Sequence, residues 1–185
     1  MLVFGGSQGA HAINVAMAEA SATLAAAAPG VEVTHQTGER DLAMVREAYA
    51  AAGLAARVEP FLYEMDREMR AAAVIVCRAG ATTLAELTAA GRAAILIPLP
   101  TATDDHQRKN ADALVRQGAA RAIDQRELTG ARLAEELLGL ARDSAARDRM
   151  AAAARGMARP DAARVIVDRV LALAGHGGRT AGRAR

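Results

Sequence analysis

Short apolar runs alternate with longer stretches of helical periodicity along the whole chain. Most of the runs are three to five residues long and have Gly or Pro beside them, which is typical of strands. Two of them, Val74–Cys77 and Ala94–Pro98, contain only apolar residues, as strands buried on both faces of a sheet do. The pattern predicts strands at Leu2–Phe4, Val31–His35, Arg57–Glu59, Val74–Cys77 and Ala94–Pro98, with a last edge strand within 119–123.

Helical patterns separate these strands, and glycine or proline ends several of them. Because strand and helix alternate, we predict an open α/β fold, a Rossmann-like parallel sheet with helices on both faces. Right-handed crossovers then place the strand-to-helix loops along one edge of the sheet, where such folds bind ligands. The helices are predicted at about 8–27, 40–52, 64–72, 81–90 and 104–117, and the chain after 123 is predicted to be helical as far as Gly175.

Length and composition favour one globular domain. The 185 residues are 52% apolar and 24% charged, which indicates neither a disordered chain nor a fibre. We predict one domain over 1–175 and a disordered basic tail over 176–185. The sequence has no run of 18 uncharged apolar residues and no signal-peptide pattern, so we predict no membrane-spanning helix.

The basic excess is confined to the C-terminal part of the chain. Residues 144–185 contain nine arginines against three aspartates, while the rest is net acidic. Two Phe, two Tyr and no Trp leave few platforms for stacking bases, so the composition disfavours nucleic-acid binding. Cys77 is the only cysteine, which excludes a disulfide framework and a cysteine zinc site. We expect it to pack in the core of a protein from a reducing, cytoplasmic compartment.

The first predicted strand ends in a glycine-rich turn, Gly5–Gly9. Its spacing, G-G-x-x-G, is neither the dinucleotide fingerprint nor a Walker loop. Glycines allow a close approach of the backbone, and the helix that follows offers free N–H groups to a phosphate. Ser7 either caps that helix or donates to a phosphate oxygen. Phosphate binding and a simple tight turn explain the segment equally well.

A second turn of the same kind follows the strand that ends at Cys77. Gly80 leads into a helix whose first turn contains Thr82 and Thr83, either of which can cap the helix or bind a phosphate oxygen. Glu86 either accepts hydrogen bonds from a ribose diol or completes a capping box with Thr83. Two such turns in one sheet favour a diphosphate, because a diphosphate needs more than one set of donors.

A third polar segment follows the strand that ends at Pro98. His106, Gln107 and Asn110 are candidates to bind sugar hydroxyls, although an isolated histidine is more often a surface residue. We interpret Asp104 and Asp105 as acids at a helix start and not as metal ligands. Two further segments are less informative: 35–38 is expected to be a structural loop, and 60–65 is either a wall for a base or a core anchor.

Four segments together resemble the C-terminal half of the MurG family of bacterial peptidoglycan GlcNAc transferases. The resemblance, from Met1 to about Gly175, implies one half of a GT-B fold. It implies the donor UDP-GlcNAc, no other cofactor, no metal, and transfer of GlcNAc to undecaprenyl-diphospho-MurNAc-pentapeptide, which converts lipid I to lipid II. The segments are Gly5-Gly6-Ser7-Gln8-Gly9-Ala10, His35-Gln36-Thr37-Gly38, Cys77-Arg78-Ala79-Gly80-Ala81-Thr82-Thr83-x-x-Glu86 and Pro98-Leu99-Pro100…His106-Gln107-x-x-Asn110.

The resemblance also implies roles for individual residues. Ser7, the amides after it and the helix start at Ala81 would contact the diphosphate, and Glu86 would hold the ribose diol. The Leu62 backbone would contact the uracil edge, and Gln107 would bind GlcNAc hydroxyls with His106, where many family members carry glutamine. The implied donor-binding set is Ser7, Gln8, Gly9, Leu62, Ala81, Thr82, Thr83, Leu84, Ala85, Glu86, His106 and Gln107, with no catalytic residue in this chain.

Members of that family have two domains that face a cleft, and this sequence resembles only the second. We therefore expect weak binding of UDP-GlcNAc and no unaided transfer, with lipid I reached through a missing or separate N-terminal domain. Two alternatives stay open: a non-catalytic nucleotide-sugar-binding subunit of a split glycosyltransferase, and a UDP-GlcNAc 2-epimerase-like fragment. The family resemblance places the chain in the cytoplasm, peripheral on the cytoplasmic face of the cell membrane.

The C-terminal helical pattern carries arginines four or five residues apart. They either lie near an anionic bilayer or form a solvated helix face, and the pattern favours the solvated face. In that case Val165, Val167 and Leu171 are turned inward. The arginines are Arg155, Arg159, Arg164 and Arg169.

Overall fold

The sheet has six parallel strands, and the computed structural model describes residues 1–177 of the chain. The strand order is β3-β2-β1-β4-β5-β6, with every neighbouring pair parallel. The predicted Rossmann-like parallel sheet is thereby confirmed. The strands are β1 (Leu2–Phe4), β2 (Val33–Gln36), β3 (Ala56–Glu59), β4 (Val74–Cys77), β5 (Ala93–Leu96) and β6 (Arg121–Ala122).

Eight α-helices are described, and their bounds differ from the predicted ones mainly at the N-termini. The first helix begins at His11 and not at 8, because Gly6 and Gly9 have φ of +93° and +74° and interrupt helical geometry. The helices are α1 (His11–Ala27), α2 (Leu42–Ala52), α3 (Met65–Ala71), α4 (Ala81–Ala90), α5 (His106–Arg116), α6 (Gly130–Arg142), α7 (Ser144–Met157) and α8 (Ala162–Gly177), with a 3-10 turn at Thr103–Asp105.

Successive residues of each central strand face opposite layers of the core. Val3 and Val76 pack in the layer that contains residues of α1, α2 and α6. Phe4 and Cys77 pack in the layer that contains residues of α3, α4 and α5. Cys77 is fully buried, as predicted, and burial raises the pKa of its thiol to about 12. Its thiol is therefore protonated at neutral pH.

The strand order reverses between β1 and β4: the chain continues from β1 to β2 on one side and from β4 to β5 on the other. Phe4 pairs with Cys77 at the carboxyl ends of the two strands. The turns after them consequently lie side by side at the edge of the sheet. This is the crevice in which open α/β folds bind ligands.

The last helix differs from the prediction. Val167 and Leu171 of α8 are 54% and 64% exposed, so the expectation that they turn inward is wrong. Val165, the third residue of that expectation, is half-buried. Neither core layer contains a described residue of α8. α8 runs to Gly177, and 178–185, the rest of the predicted tail, lies outside the described residues. Within residues 1–177, no helix has the length and apolar character needed to cross a bilayer.

Candidate functional site

A cleft of about 430 Å³ lies between the two glycine-rich turns predicted from the sequence. Gly6 and Gly9 line it from the turn between β1 and α1. Gly80 and Thr83 line it from the turn between β4 and α4. The two turns thus face one cleft and not opposite sides of the molecule.

Both helices that begin at this cleft present unpaired backbone donors. Ala10 precedes α1 and Gly80 precedes α4, and neither helix start has a side-chain cap. The first amides of each helix have no carbonyl partner inside the helix, and the helix dipole adds partial positive charge. Two such ends in one cleft suit a diphosphate.

The predicted capping roles of Ser7 and of the α4 threonines are wrong. Ser7 lies three residues before Ala10 and is exposed, so it is too far from the start of α1 to cap it. Thr82 and Thr83 lie inside the first turn of α4, because the helix begins directly after Gly80. The alternative in which Thr83 and Glu86 form a capping box is excluded for the same reason.

Arg78 is a cleft residue that sequence reasoning did not single out. Its Nη1 donates to the carbonyl oxygens of Ile97 and Pro98 at 3.1 Å and 3.4 Å. Because both acceptors are uncharged, these hydrogen bonds leave the positive charge of the guanidinium uncompensated. Burial lowers the pKa of Arg78 from its ordinary value. A partly buried guanidinium beside two helix N-termini strengthens the attraction for an anion. The available sequence signal was an arginine directly after a strand of apolar residues.

Gln107 and Asn110 bind the protein's own backbone at the second turn. Oε1 of Gln107 accepts from the N–H groups of Ala79 and Leu99 at 3.2 Å and 3.1 Å. Nδ2 of Asn110 donates to the Ala79 carbonyl at 3.0 Å. These amides fix the loops after β4 and β5, and Gln107 also lines the cleft. Because Oε1 of Gln107 is engaged, Nε2 is the atom of this side chain that could bind a sugar hydroxyl. His106 is exposed at the start of α5.

Gln36 joins two loops in the same way on the other side of the cleft. Its Nε2 donates to the Gly6 carbonyl at 2.7 Å, and its Oε1 accepts from the Leu62 N–H at 2.9 Å. The Leu62 N–H is therefore engaged, and its carbonyl is the backbone group left for a base. The sequence predicts a structural loop at 35–38, and Gln36 has such a structural role. A buried glutamine at the end of a strand was the only sequence signal for this link.

The first turn also interlocks with the loop after β2. Gly9 and Gly38 both have φ of +74°. A Cβ on Gly9 would collide with the Thr37 carbonyl oxygen, and a Cβ on Gly38 would collide with the Gln8 carbonyl oxygen. Glycine is required at both positions for conformation and for space.

Other predicted contact residues lie around the cleft. Glu86 lines a neighbouring cavity of about 260 Å³ between α3 and α4, together with Met65 and Met69. Leu84 and Ala85 line a third cavity beside α5, and the Leu84 N–H donates to the Gly80 carbonyl. The exposed members of the predicted set are Ser7, Gln8, Ala81, Thr82, Ala85, Glu86 and His106.

A buried polar network supports the base of α1. His35 is fully buried; its Nε2 lies 3.0 Å from Asn14 Oδ1 and its Nδ1 lies 2.8 Å from the Tyr49 hydroxyl. Asn14 Nδ2 donates to the Thr37 carbonyl and to Asp41. Burial lowers the pKa of His35 to about 3, against the opposing charge of Asp41, so its ring is neutral at physiological pH. His35 is a structural residue, as expected.

The described residues contain no cluster of three or more His, Cys, Asp or Glu side chains that could hold a metal ion. Asp104 and Asp105 lie in the 3-10 turn before α5, as the sequence predicted for acids at a helix start. The expectation that no metal or further cofactor is required stays a prediction.

Residues 1–166 match the glycosyltransferase family 28 C-terminal domain. The UDP-N-acetylglucosamine--N-acetylmuramyl-(pentapeptide) pyrophosphoryl-undecaprenol N-acetylglucosamine transferase of Pelobacter propionicus is 53% identical over 171 residues, which are 92% of this chain and 45% of that protein. The protein of the same name from Trichlorobacter lovleyi is 48% identical over 172 residues, again 92% of this chain and 45% of the relative. The chain thus spans about half the length of the curated relatives it matches.

Two solved structures superpose on most of this chain. Acinetobacter baumannii MurG superposes with a TM-score of 0.82 at 36% identity, over 90% of this chain and 48% of that chain. The UDP-GlcNAc 2-epimerase of Neisseria meningitidis superposes with a TM-score of 0.64 at 15% identity, over 92% of this chain and 43% of that chain. The likeness to the epimerase extends to the fold alone.

Proposed function

Because this chain belongs to the glycosyltransferase family 28 C-terminal domain family, we propose that its cleft binds the diphosphate of UDP-GlcNAc. The observation that carries this proposal is the convergence of two uncapped helix N-termini, those of α1 and α4, on one cleft. Arg78 adds a cation to the same cleft. Amide donors at two points of the cleft can contact both phosphates of a diphosphate.

A chain with such a cleft would serve as the donor-binding half of a transferase. The relatives are named as transferring N-acetylglucosamine to the undecaprenyl-linked N-acetylmuramyl-pentapeptide, and we assign the same reaction to this chain together with an acceptor-binding half. In the reaction, the acceptor 4-hydroxyl attacks the anomeric carbon, the bond to the diphosphate breaks, and configuration inverts. The half of the relatives' length that this chain does not span would hold lipid I and the base that takes the hydroxyl proton.

Stabilisation of the leaving group is the part of the chemistry that this chain supplies. Negative charge grows on the diphosphate as UDP departs, and preorganised donors lower the barrier to that step. The first-turn amides of α1 and α4 and the guanidinium of Arg78 are placed to do this. We assign the charge compensation to them and not to a divalent metal.

The nucleoside and the sugar would extend from the cleft in different directions. Glu86 in the cavity between α3 and α4 would accept from the ribose diol, and the Leu62 carbonyl would face the uracil. Nε2 of Gln107 would donate to a GlcNAc hydroxyl. Because the acceptor is anchored in a lipid, the chain would work at the cytoplasmic face of the membrane.

Calorimetric titration of the 185-residue chain with UDP-GlcNAc, UDP and dTDP tests the donor proposal. Saturable binding of both uridine nucleotides, unchanged by EDTA and stronger than that of dTDP, is expected. No binding at millimolar concentrations would contradict the proposal. An EDTA-sensitive affinity would contradict the assignment of charge compensation to the protein.

Mixing the chain with the N-terminal half of the Pelobacter propionicus relative tests the reaction. Formation of lipid II from lipid I and UDP-GlcNAc is expected only with both halves present. Binding without transfer in the mixture would favour the non-catalytic subunit. Conversion of UDP-GlcNAc to UDP-ManNAc without lipid I would favour the epimerase.

A further inference from the structure

A histidine–aspartate pair lies at the cleft end of α1 and is not used in the function proposed above. His11 is the first residue of α1 and lines the cleft. Its Nδ1 lies 3.0 Å from both carboxylate oxygens of Asp41. The Asp41 side chain is 8% exposed and that of His11 is 55% exposed, so the carboxylate is buried while the ring can reach a ligand.

The buried network keeps Asp41 ionised. Burial raises the pKa of Asp41, but the hydrogen bonds from Asn14 and His11 and the charges of His11 and Arg40 outweigh burial and leave the pKa below its ordinary value. Asn14 donates to Asp41 Oδ2 at 2.8 Å. Its Oδ1 is occupied by the neutral ring of His35, so the Asn14 amide cannot flip without breaking both contacts.

An ionised Asp41 fixes how the His11 ring binds. A carboxylate only accepts hydrogen bonds, so Nδ1 of His11 must carry a proton. In the neutral ring, Nε2 is then the basic nitrogen and has a lone pair for a further proton. An imidazolium with a carboxylate at one nitrogen and a phosphate oxygen at the other is stabilised from both sides.

We propose that Nε2 of His11 takes up a proton when UDP-GlcNAc binds and donates it in a hydrogen bond to the diphosphate. The proposal rests on the function proposed above and gives that site a pH-dependent contact. The charged groups around the ring are Asp41, Arg40 at 3.9 Å from Asp41, and Arg78 in the same cleft. The N-terminal dipole of α1 and Arg78 repel an imidazolium, and the negative charge of a bound diphosphate offsets both.

Calorimetry with UDP-GlcNAc provides the test, because its pyrophosphate has no proton that titrates near neutral pH. Titrations in buffers of different ionisation enthalpy count the protons bound per ligand. The wild-type chain is expected to take up a measurable fraction of one proton at about pH 7.5 and to bind about three- to tenfold more tightly at about pH 6 than at about pH 8.

Three variants and a control assign that proton to His11. His11→Gln is expected to abolish the uptake and the pH dependence. His11→Arg is expected to bind without uptake at any pH, because its charge is permanent. Asp41→Asn is expected to reduce the uptake, because the imidazolium loses its carboxylate. Arg132→Gln on α6, where Arg132 pairs with Glu135 and Glu136, is expected to match the wild type.

The outcomes separate this inference from the proposed function. Binding by the wild type without proton uptake, or uptake that persists in His11→Gln, would overturn the role of His11 and leave the donor site intact. Failure of the wild type to bind UDP-GlcNAc at millimolar concentrations would overturn the donor site, and the role of His11 with it.

Discussion

The backbone N–H of Leu62 donates a 2.9 Å hydrogen bond to Oε1 of Gln36, a residue 26 positions earlier in the chain. The same side chain donates to the Gly6 carbonyl. One buried amide thus ties the loop proposed to face the uracil to the turn proposed to hold the diphosphate. The distance between these two parts of the site depends on a residue that would touch neither part of the ligand.

Replacing Gln36 by Ala is expected to weaken UDP-GlcNAc binding by about tenfold, because the two loops lose their shared anchor. Loss of two buried hydrogen bonds is expected to lower the free energy of unfolding by about 2 kcal/mol. Calorimetry and urea denaturation measure the two effects. Gln117→Ala, at an exposed position after α5, is the matched control and is expected to change neither. Unchanged affinity in Gln36→Ala would show that these two hydrogen bonds do not position the loops for ligand binding.

Gly9→Ala is expected to destabilise the protein by about 2 kcal/mol or more, because the new Cβ collides with the Thr37 carbonyl and φ is +74°. Urea denaturation measures the loss. Gly156→Ala in α7 meets nothing within 4 Å and is expected to stabilise by about 0.5–1 kcal/mol. Equal effects of the two substitutions would contradict the interlocked turn.

Arg78→Gln is expected to lower the affinity for UDP-GlcNAc by about ten- to hundredfold, because the cleft loses its partly buried cation. The dependence of binding on salt is expected to become shallower in the variant. Arg116→Gln, at the exposed end of α5, removes an equal charge away from the cleft and serves as the control. Calorimetry at low and high salt measures both, and equal behaviour of the two variants would rule out a specific role for Arg78.

Acid is expected to destabilise the fold through His35. Its pKa is about 3 in the folded protein against an ordinary value of 6.5, so between these values the unfolded chain binds a proton that the folded chain does not. Stability therefore rises with pH across this window, by about 1 kcal/mol per pH unit. Asp41, whose folded pKa is lowered, acts with the same sign nearer pH 3.8. Urea midpoints between pH 4 and 7 measure the slope, and His35→Gln is expected to flatten it. A wild-type profile without slope would show that His35 binds its proton equally well in the folded and the unfolded chain.

Leu171→Asp in α8 is expected to change the free energy of unfolding by less than about 0.5 kcal/mol, because Leu171 is 64% exposed. Leu133→Ala in α6, a fully buried position, is expected to lower it by about 2–5 kcal/mol. Urea denaturation compares the two. A large loss in Leu171→Asp would show that α8 packs against the domain in solution.

The sequence by itself determined the layers and the positions of the two turns. Strands such as Val74–Cys77 are recognisable because burial on both faces requires apolar residues throughout. The glycines of the first turn are recognisable because few other residues tolerate positive φ. These requirements act on a few neighbouring residues, so a local pattern reveals them.

The tertiary structure alone decided which groups meet at the cleft. Gln36 reaches Leu62, Gln107 reaches Ala79, and His11 reaches Asp41 across 26 to 30 positions of the chain. These contacts depend on which strands are neighbours, and the order β3-β2-β1-β4-β5-β6 is set by the packing of the whole sheet. The exposure of α8 is equally non-local, because an apolar stripe predicts a buried helix face only where the fold supplies a surface to cover it.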